Sequence, residues 1–181
     1  MSPGIIGLVG PIRSGKSTVS QILVEDFGYL PASNSDLLAS ILDRMKIEKS
    51  RANLGMLGNA IFEVLGNDVL AHYRIRTLGN SRIVVDGIRY EDEIKAYSSI
   101  PNFLLIAVDS SSEDRLNRIN AKSGQDKDPG RTDLHALKRL DEARSEIEVP
   151  LIMERAHARI QNNGDLNNLR ADVHRFIRSR L

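Results

Sequence analysis

The sequence predicts an α/β fold with three layers, a five-stranded parallel sheet with helices on both faces. Three observations lead there. Apolar runs of strand length alternate with segments whose apolar residues recur at helical spacing. A glycine-rich loop, Gly10 to Ser17, joins the first run to the first helical segment. Two later runs end in aspartate, at Asp86 and Asp109. Strands that alternate with helices pair in parallel, because each crossover helix carries the chain back to the starting edge and covers one face of the sheet.

The elements follow in order. Gly4 to Val9 is an apolar run of buried-strand length, and Thr18 to Phe27 is a helix through Val19, Ile22, Leu23 and Phe27. Gly28 to Ser33 reads as a second strand. Asn34 or Ser35 is placed to cap a helix through Leu37, Leu38, Ile41, Leu42 and Met45. Lys46 to Ser50 is a charged break. Ala52 to Leu78 is mostly helical, with Leu54, Leu57, Ile61, Leu65, Val69 and Leu70 as its stripe and with Gly55, Gly58 and Gly66 bending or interrupting it. Arg82 to Asp86 and Phe103 to Asp109 are the third and fourth strands. A polar segment, Lys122 to Thr132, precedes a helix around Leu134 to Ile147. A fifth strand near Ala158 to Gln161 leads to a last helix, Asp165 to Arg180, striped by Leu166, Leu169, Val173, Phe176 and Ile177.

The loop carries the chemistry. G-P-I-R-S-G-K-S matches the phosphate-loop pattern G-x-x-x-x-G-K-[ST] at every position. Gly10 and Gly15 allow a tight turn in which successive N–H groups face phosphate oxygens. Lys16 supplies an ammonium to the β- and γ-phosphates, and the Ser17 hydroxyl can bind Mg²⁺. Pro11, Ile12, Arg13, Ser14 and Thr18 complete the nucleotide-binding stretch, and the helix N-terminus adds its own attraction for anions. ATP and Mg²⁺ are therefore the expected cofactors. In an open parallel sheet ligands gather at the C-terminal strand ends, where Asp86 is placed to approach the metal or its waters. Asp109 lies at such an end too, but is read first as the residue that opens a loop and only second as a site residue.

Composition narrows the class. With 181 residues, 41% hydrophobic and 27% charged, the chain suits one domain, 1–181. The absence of cysteine excludes disulfides, thiolate nucleophiles and cysteine metal sites. No apolar run has membrane-spanning length, which predicts a cytoplasmic protein without a membrane partner. A net charge of +1 gives no strong nucleic-acid signal. His72, His135, His157 and His174 lack metal-ligand spacing and are read as surface or capping residues. Glu142 and Glu146, with Lys138 and Arg139, read as a solvent-exposed helix face.

The residues resemble the nucleotide-kinase branch of phosphate-loop proteins: nucleoside monophosphate kinases, dephospho-CoA kinases, and related archaeal and phage deoxynucleotide-kinase-like enzymes. Ser35-Asp36-Leu37-Leu38 resembles the acceptor-side start of the second helix, without that motif's glycine. Asp86-Gly87-Ile88-Arg89 resembles the D-G-x-x-R signature, and Val108-Asp109 with Glu113, Arg115 and Arg118 resembles the strand and helix leading into a lid. Asn53 to Ala71 resembles acceptor-cap helices, and Ile160 to Gly164, including Asn162, the last strand and turn near the base of ATP.

The resemblance implies a P-loop NTPase fold with an acceptor cap over 34–80 and a lid over 119–134. It implies Arg89 as clamp on acceptor phosphate, with Arg51, Arg74 and Arg76 as further candidates. Arg115, Arg118 and Arg131 would close from the lid, and Arg13 could also reach phosphate. Asp36 is either a general base toward a hydroxyl acceptor or a helix-start residue. The expected activity is γ-phosphate transfer from ATP to a small nucleotide-like acceptor, a (deoxy)nucleoside monophosphate first. A hydroxyl acceptor such as dephospho-CoA, an acceptor with a modified base and a non-catalytic nucleotide switch are the alternatives. The reading leaves room for a homodimer.

Overall fold

A computed structural model describes residues 4–77, 79, 81–122 and 133–180. Among them, five strands form one parallel sheet: β1 (Ile5–Val9), β2 (Leu30–Ser33), β3 (Ile83–Asp86), β4 (Leu104–Asp109) and β5 (Ala158–Gln161), ordered β2-β3-β1-β4-β5. The central strands β1, β3 and β4 are nearly continuous in buried Ile, Leu and Val because both faces are covered. Pro31 falls on β2, an edge strand, where a missing N–H costs no internal ladder bond.

Alternation along β1 sorts the core into two layers. Ile6 and Leu8 face α1 (Lys16–Phe27) and α9 (Leu166–Arg178), meeting Val19, Ile22 and Leu23 of the first and Leu169, Val173 and Ile177 of the second. Ile5 and Val9 face α4 (Val69–Thr77), α5 (Glu91–Ser98) and α8 (Val149–Glu154) through Ala71, Ala96, Tyr97, Val149 and Ile152. Of the remaining helices, α2 (Asn34–Arg44) follows the C-terminal end of β2 and packs on α3 (Arg51–Leu65), and α6 (Ser112–Lys122) follows that of β4 and packs on α7 (Leu134–Asp141). No helix among the described residues is long and apolar enough to cross a membrane.

Several expectations need correction. Gly28 closes α1 rather than opening β2, its N–H bonding back to the carbonyls of the last turn. Ser33, not Asn34 or Ser35, caps α2: its Oγ accepts from the Asp36 N–H at 3.4 Å. The 52–78 stretch divides into α3 and α4 at Gly66, whereas Gly55 and Gly58 lie inside α3. Leu65, expected in the apolar stripe, is exposed. The helix expected through Ile147 stops at Asp141. A 3-10 turn, Arg144–Glu146, follows, and then α8, which periodicity missed because it is only six residues long. Helix α5 had no counterpart in the sequence reading. Residues 123–132, with Arg131 and most of the expected lid, lie outside the described residues.

A buried polar network joins the cap to α5. Arg74 (7% exposed) donates from Nη1 to Asn34 Oδ1 at 2.7 Å, and Asn34 Nδ2 donates to Glu93 Oε1 at 3.4 Å. Glu93 Oε2 accepts the backbone N–H groups of Arg89 (2.9 Å) and Tyr90 (3.2 Å). Burial pushes the Glu93 carboxyl above its ordinary value of 4.5, against those hydrogen bonds and the Arg74 charge. The folded state then holds the proton more tightly than the unfolded chain. The stabilisation linked to that proton is complete below pH 4.5 and is lost as pH rises through the folded value. Urea unfolding of wild type against Glu93→Gln at several pH values is expected to show the wild type losing ground as pH rises from 4.5. A pH-independent difference would contradict this.

Candidate active site

The phosphate loop spans the gap between β1 and α1. At Gly10 an added Cβ would lie 2.0 Å from the Val108 carbonyl oxygen, so β4 passes too close for any side chain. Arg13 takes a left-handed conformation (φ 64°). Gly15 stands at the N-cap of α1 without a side-chain cap, which leaves the first N–H groups of the helix directed toward the loop. Lys16 Nζ donates to the carbonyls of Gly10 (2.6 Å) and Pro11 (2.9 Å). Its pKa falls to about 8, chiefly because burial disfavours the ammonium. Asp86 and Glu146 oppose the shift, while Arg89 and Arg115 add to it.

Ser17 and Asp86 fit the expected magnesium site. Neither the Ser17 hydroxyl nor the Asp86 carboxylate has a hydrogen-bond partner among the described residues. Asp86 ends β3 opposite Leu8, at the same sheet edge as the loop. No cluster of three or more His, Cys, Asp or Glu ligands occurs among the described residues. One carboxylate plus one hydroxyl suits an ion that keeps waters and takes its other ligands from phosphate oxygens.

Three predicted residues brace the loop from behind. Asn162 Nδ2 donates to Ser14 O at 2.8 Å, so its amide is committed to the loop backbone. Arg118 donates from Nη1 to Ser110 Oγ (2.9 Å) and to the carbonyls of Arg13 (3.2 Å) and Ser14 (3.3 Å), and from Nη2 to Asn162 O (2.7 Å). Arg115, buried, donates from Nε to Ile12 O (2.7 Å) and pairs with Asp141 at 2.5 Å. In this conformation all three nitrogens of the Arg115 guanidinium and both terminal nitrogens of Arg118 bond protein acceptors, so they shape the loop. Asp109 points elsewhere, to Arg159 (3.0 Å) and the Ser110 N–H.

On the acceptor side, Gly87 (φ 90°) separates the two principal cations. A Cβ there would lie 3.9 Å from Lys16 Cε and 4.0 Å from Arg89 Nε, so both side chains border one small space. Arg89 Nη1 donates to Ser145 Oγ at 2.8 Å and pairs with Glu146 at 2.5 Å. Its Nε and Nη2 have no partner among the described residues. The register sets Ser33 beside Asp86, which starts α2 at this strand edge, and Asp36 is exposed in the first turn. Arg51 and Arg76 are exposed, and Arg74 is tied into the buried network.

Glu146 is the residue that sequence reasoning misplaced. Expected on a solvated face, it is 4% exposed and sits against Arg89, because the chain leaves the helical path after Asp141 and turns inward. Burial raises its carboxyl pKa, with Arg89 and Lys16 opposing. His72, His135 and His157 are exposed, as expected of surface residues, and His157 Nδ1 accepts the Leu105 N–H at 2.9 Å; His174 is half-buried and pairs with Asp26 at 2.7 Å.

Comparison with known proteins fits this geometry. No family model matches the chain. A UPF0200 protein of Methanothrix thermoacetophila is 35% identical over 140 residues, covering 76% of each chain. UMP-CMP kinase 1 of Oryza sativa subsp. japonica is 30% identical over 135 residues, 68% of this chain and 53% of that protein. Among solved structures, shikimate kinase from Acinetobacter baumannii in complex with shikimate superposes with a TM-score of 0.61 at 19% identity, over 98% of this chain and 94% of the other. Dephospho-CoA kinase from Campylobacter jejuni gives 0.56 at 18%, over 98% and 96%. The chain belongs to the UPF0200 family, with the three-layer fold of the phosphate-loop nucleotide and nucleoside kinase-like proteins.

Proposed function

We propose that the protein transfers the γ-phosphate of ATP to a small nucleotide-like acceptor, a (deoxy)nucleoside monophosphate first. The observation that carries this is the space above Gly87, bordered by Lys16 from the donor loop and by Arg89 from the opposite side. A cation on each side of one space suits an anionic donor on one side and an anionic acceptor on the other. The sequence likeness to a UMP-CMP kinase supports a monophosphate acceptor.

Phosphoryl transfer has a loose transition state with charge spread over the equatorial oxygens, so the protein contributes mainly positioning and neutralisation. Lys16 exchanges the Gly10 and Pro11 carbonyls for phosphate oxygens. The N-terminus of α1 holds the donor phosphates, and Arg118, Arg115 and Asn162 keep the loop in register as positioning residues. Arg89 presents its Nε–Nη2 edge to the acceptor, since a guanidinium edge matches two phosphate oxygens. Ser17 and Asp86 would hold Mg²⁺, which would neutralise charge on the donor phosphates.

A coupled ADP-release assay with Mg·ATP and a panel of monophosphates, nucleosides and dephospho-CoA tests this reading. Strong stimulation by one monophosphate is the expected result. Arg89→Ala is expected to raise the KM for that acceptor about 10- to 100-fold, the equivalent of one charged hydrogen-bonded contact, with little change in the KM for ATP. An unchanged acceptor KM would refute the assignment of Arg89. A second reading, transfer to a hydroxyl, draws on Asp36, which is exposed at the strand edge and has no hydrogen-bond partner for its carboxylate among the described residues. Stimulation by a hydroxyl acceptor alone would favour it. A flat panel would favour a nucleotide switch.

A further inference from the structure

Glu146 is an expensive residue to bury. A carboxylate taken out of water loses several kcal/mol of solvation, by order of magnitude, unless charge and hydrogen bonds compensate. Its compensation comes from functional groups: it pairs with Arg89 at 2.5 Å and feels the charge of Lys16. Arg89 and Lys16 repel each other across the space above Gly87, and a fixed anion beside them offsets that repulsion. Ser145 adds a second hold on the same Arg89 nitrogen, accepting at 2.8 Å. The outcome is directional. Nη1 is tethered on the protein side, and the Nε–Nη2 edge is left with no partner among the described residues.

The tether belongs to a segment fixed at both ends. At one end, Asp141 closes α7 and is held by Arg115, whose Nε also grips Ile12 O of the phosphate loop. At the other, Glu148 Oε2 accepts the Glu91 N–H at 2.7 Å, which docks the chain beyond the 3-10 turn onto the start of α5. Residues 141–148 therefore span from the donor loop to the acceptor arginine.

We propose that Glu146 is a positioning residue of the acceptor site, holding Arg89 by Nη1 so that its opposite edge receives the acceptor's anionic group. The proposal rests on the assignment of Arg89 to the acceptor. Glu146 touches neither substrate: it reaches the acceptor through Arg89, while its charge also bears on Lys16.

The test is a double-substitution cycle read in the acceptor KM, with Glu146→Gln as the isosteric variant that keeps one hydrogen-bond acceptor without the charge. Glu146→Gln and Glu146→Ala are expected to raise the acceptor KM by about threefold and about tenfold or more, with the ATP KM unchanged within about twofold. In an Arg89→Ala background neither change is expected to do anything further, because residues acting through one contact are not additive. Additive effects would overturn the proposal. So would a lower acceptor KM in Glu146→Gln, which would make Glu146 an anion that blocks Arg89. A second readout needs no turnover. The Arg89 Nε–H signal in a ¹H–¹⁵N spectrum, assigned by its loss in Arg89→Lys, is expected to shift and broaden in Glu146→Gln; an unmoved signal would also overturn the proposal. Were wild type to show no acceptor-dependent transfer, the functional reading would fail, and this signal alone would decide whether Glu146 holds Arg89.

Discussion

Lys16→Ala is expected to lower phosphoryl transfer by about 10²–10³-fold in kcat, the scale seen when one preorganised electrostatic donor is removed from a site where charge develops. The position explains why no neighbour can substitute. Arg115 and Arg118 have their donors engaged by Asp141 and by carbonyls of the loop and of Asn162, and Arg89 is tethered to Glu146. The ammonium donates to two loop carbonyls, so it is held beside the place the donor phosphates would take. Burial weakens its hold on the proton, and a bound triphosphate would reverse this by supplying negative charge. Steady-state kinetics with the best acceptor would check the loss. Near-wild-type turnover in the variant would remove the phosphate loop from the mechanism.

Gly10→Ala is expected to abolish nucleotide binding and to destabilise the fold by about 1–3 kcal/mol, the range for forcing extra carbon into a packed interior. The added Cβ meets a main-chain oxygen, that of Val108, at 2.0 Å, and a carbonyl inside a parallel sheet cannot rotate away. Relief would need the end of β1 to separate from β4, with which Val9 is registered at Ala107. That movement displaces the loop carbonyls on which Lys16, Arg115 and Arg118 bear. Thermal unfolding together with titration of a fluorescent ATP analogue reports both effects. Wild-type nucleotide affinity in this variant would show that the loop tolerates the displacement.

Much of this site was legible in the chain because its chemistry is contiguous. A phosphate loop draws backbone, ammonium and hydroxyl from eight successive residues, Gly10 to Ser17, and its spacing is itself the geometry. Asp86 was readable as the acid that ends an apolar strand, and Arg89 only through the likeness of Asp86-Gly87-Ile88-Arg89 to a family signature. Helix α5 was not, since its eight residues are too few for periodicity to register against a charged N-terminal turn. The bracing roles of Arg115, Arg118 and Asn162 were hidden as well, because their partners in the phosphate loop lie a hundred residues or more away in sequence.

Glu146 marks the boundary between the two kinds of information. Residue order alone determined the sheet, the phosphate loop and the residue types at the strand ends, because periodicity and local spacing are properties of the chain. Which of two glutamates on a charged stretch turns inward was decided only in three dimensions. Glu142 is exposed and Glu146 is buried because the helix ends at Asp141, where Arg115 holds it. The following turn then lies against an arginine from a different strand end, and a carboxylate paired there is stable where an unpaired one would have to remain in water.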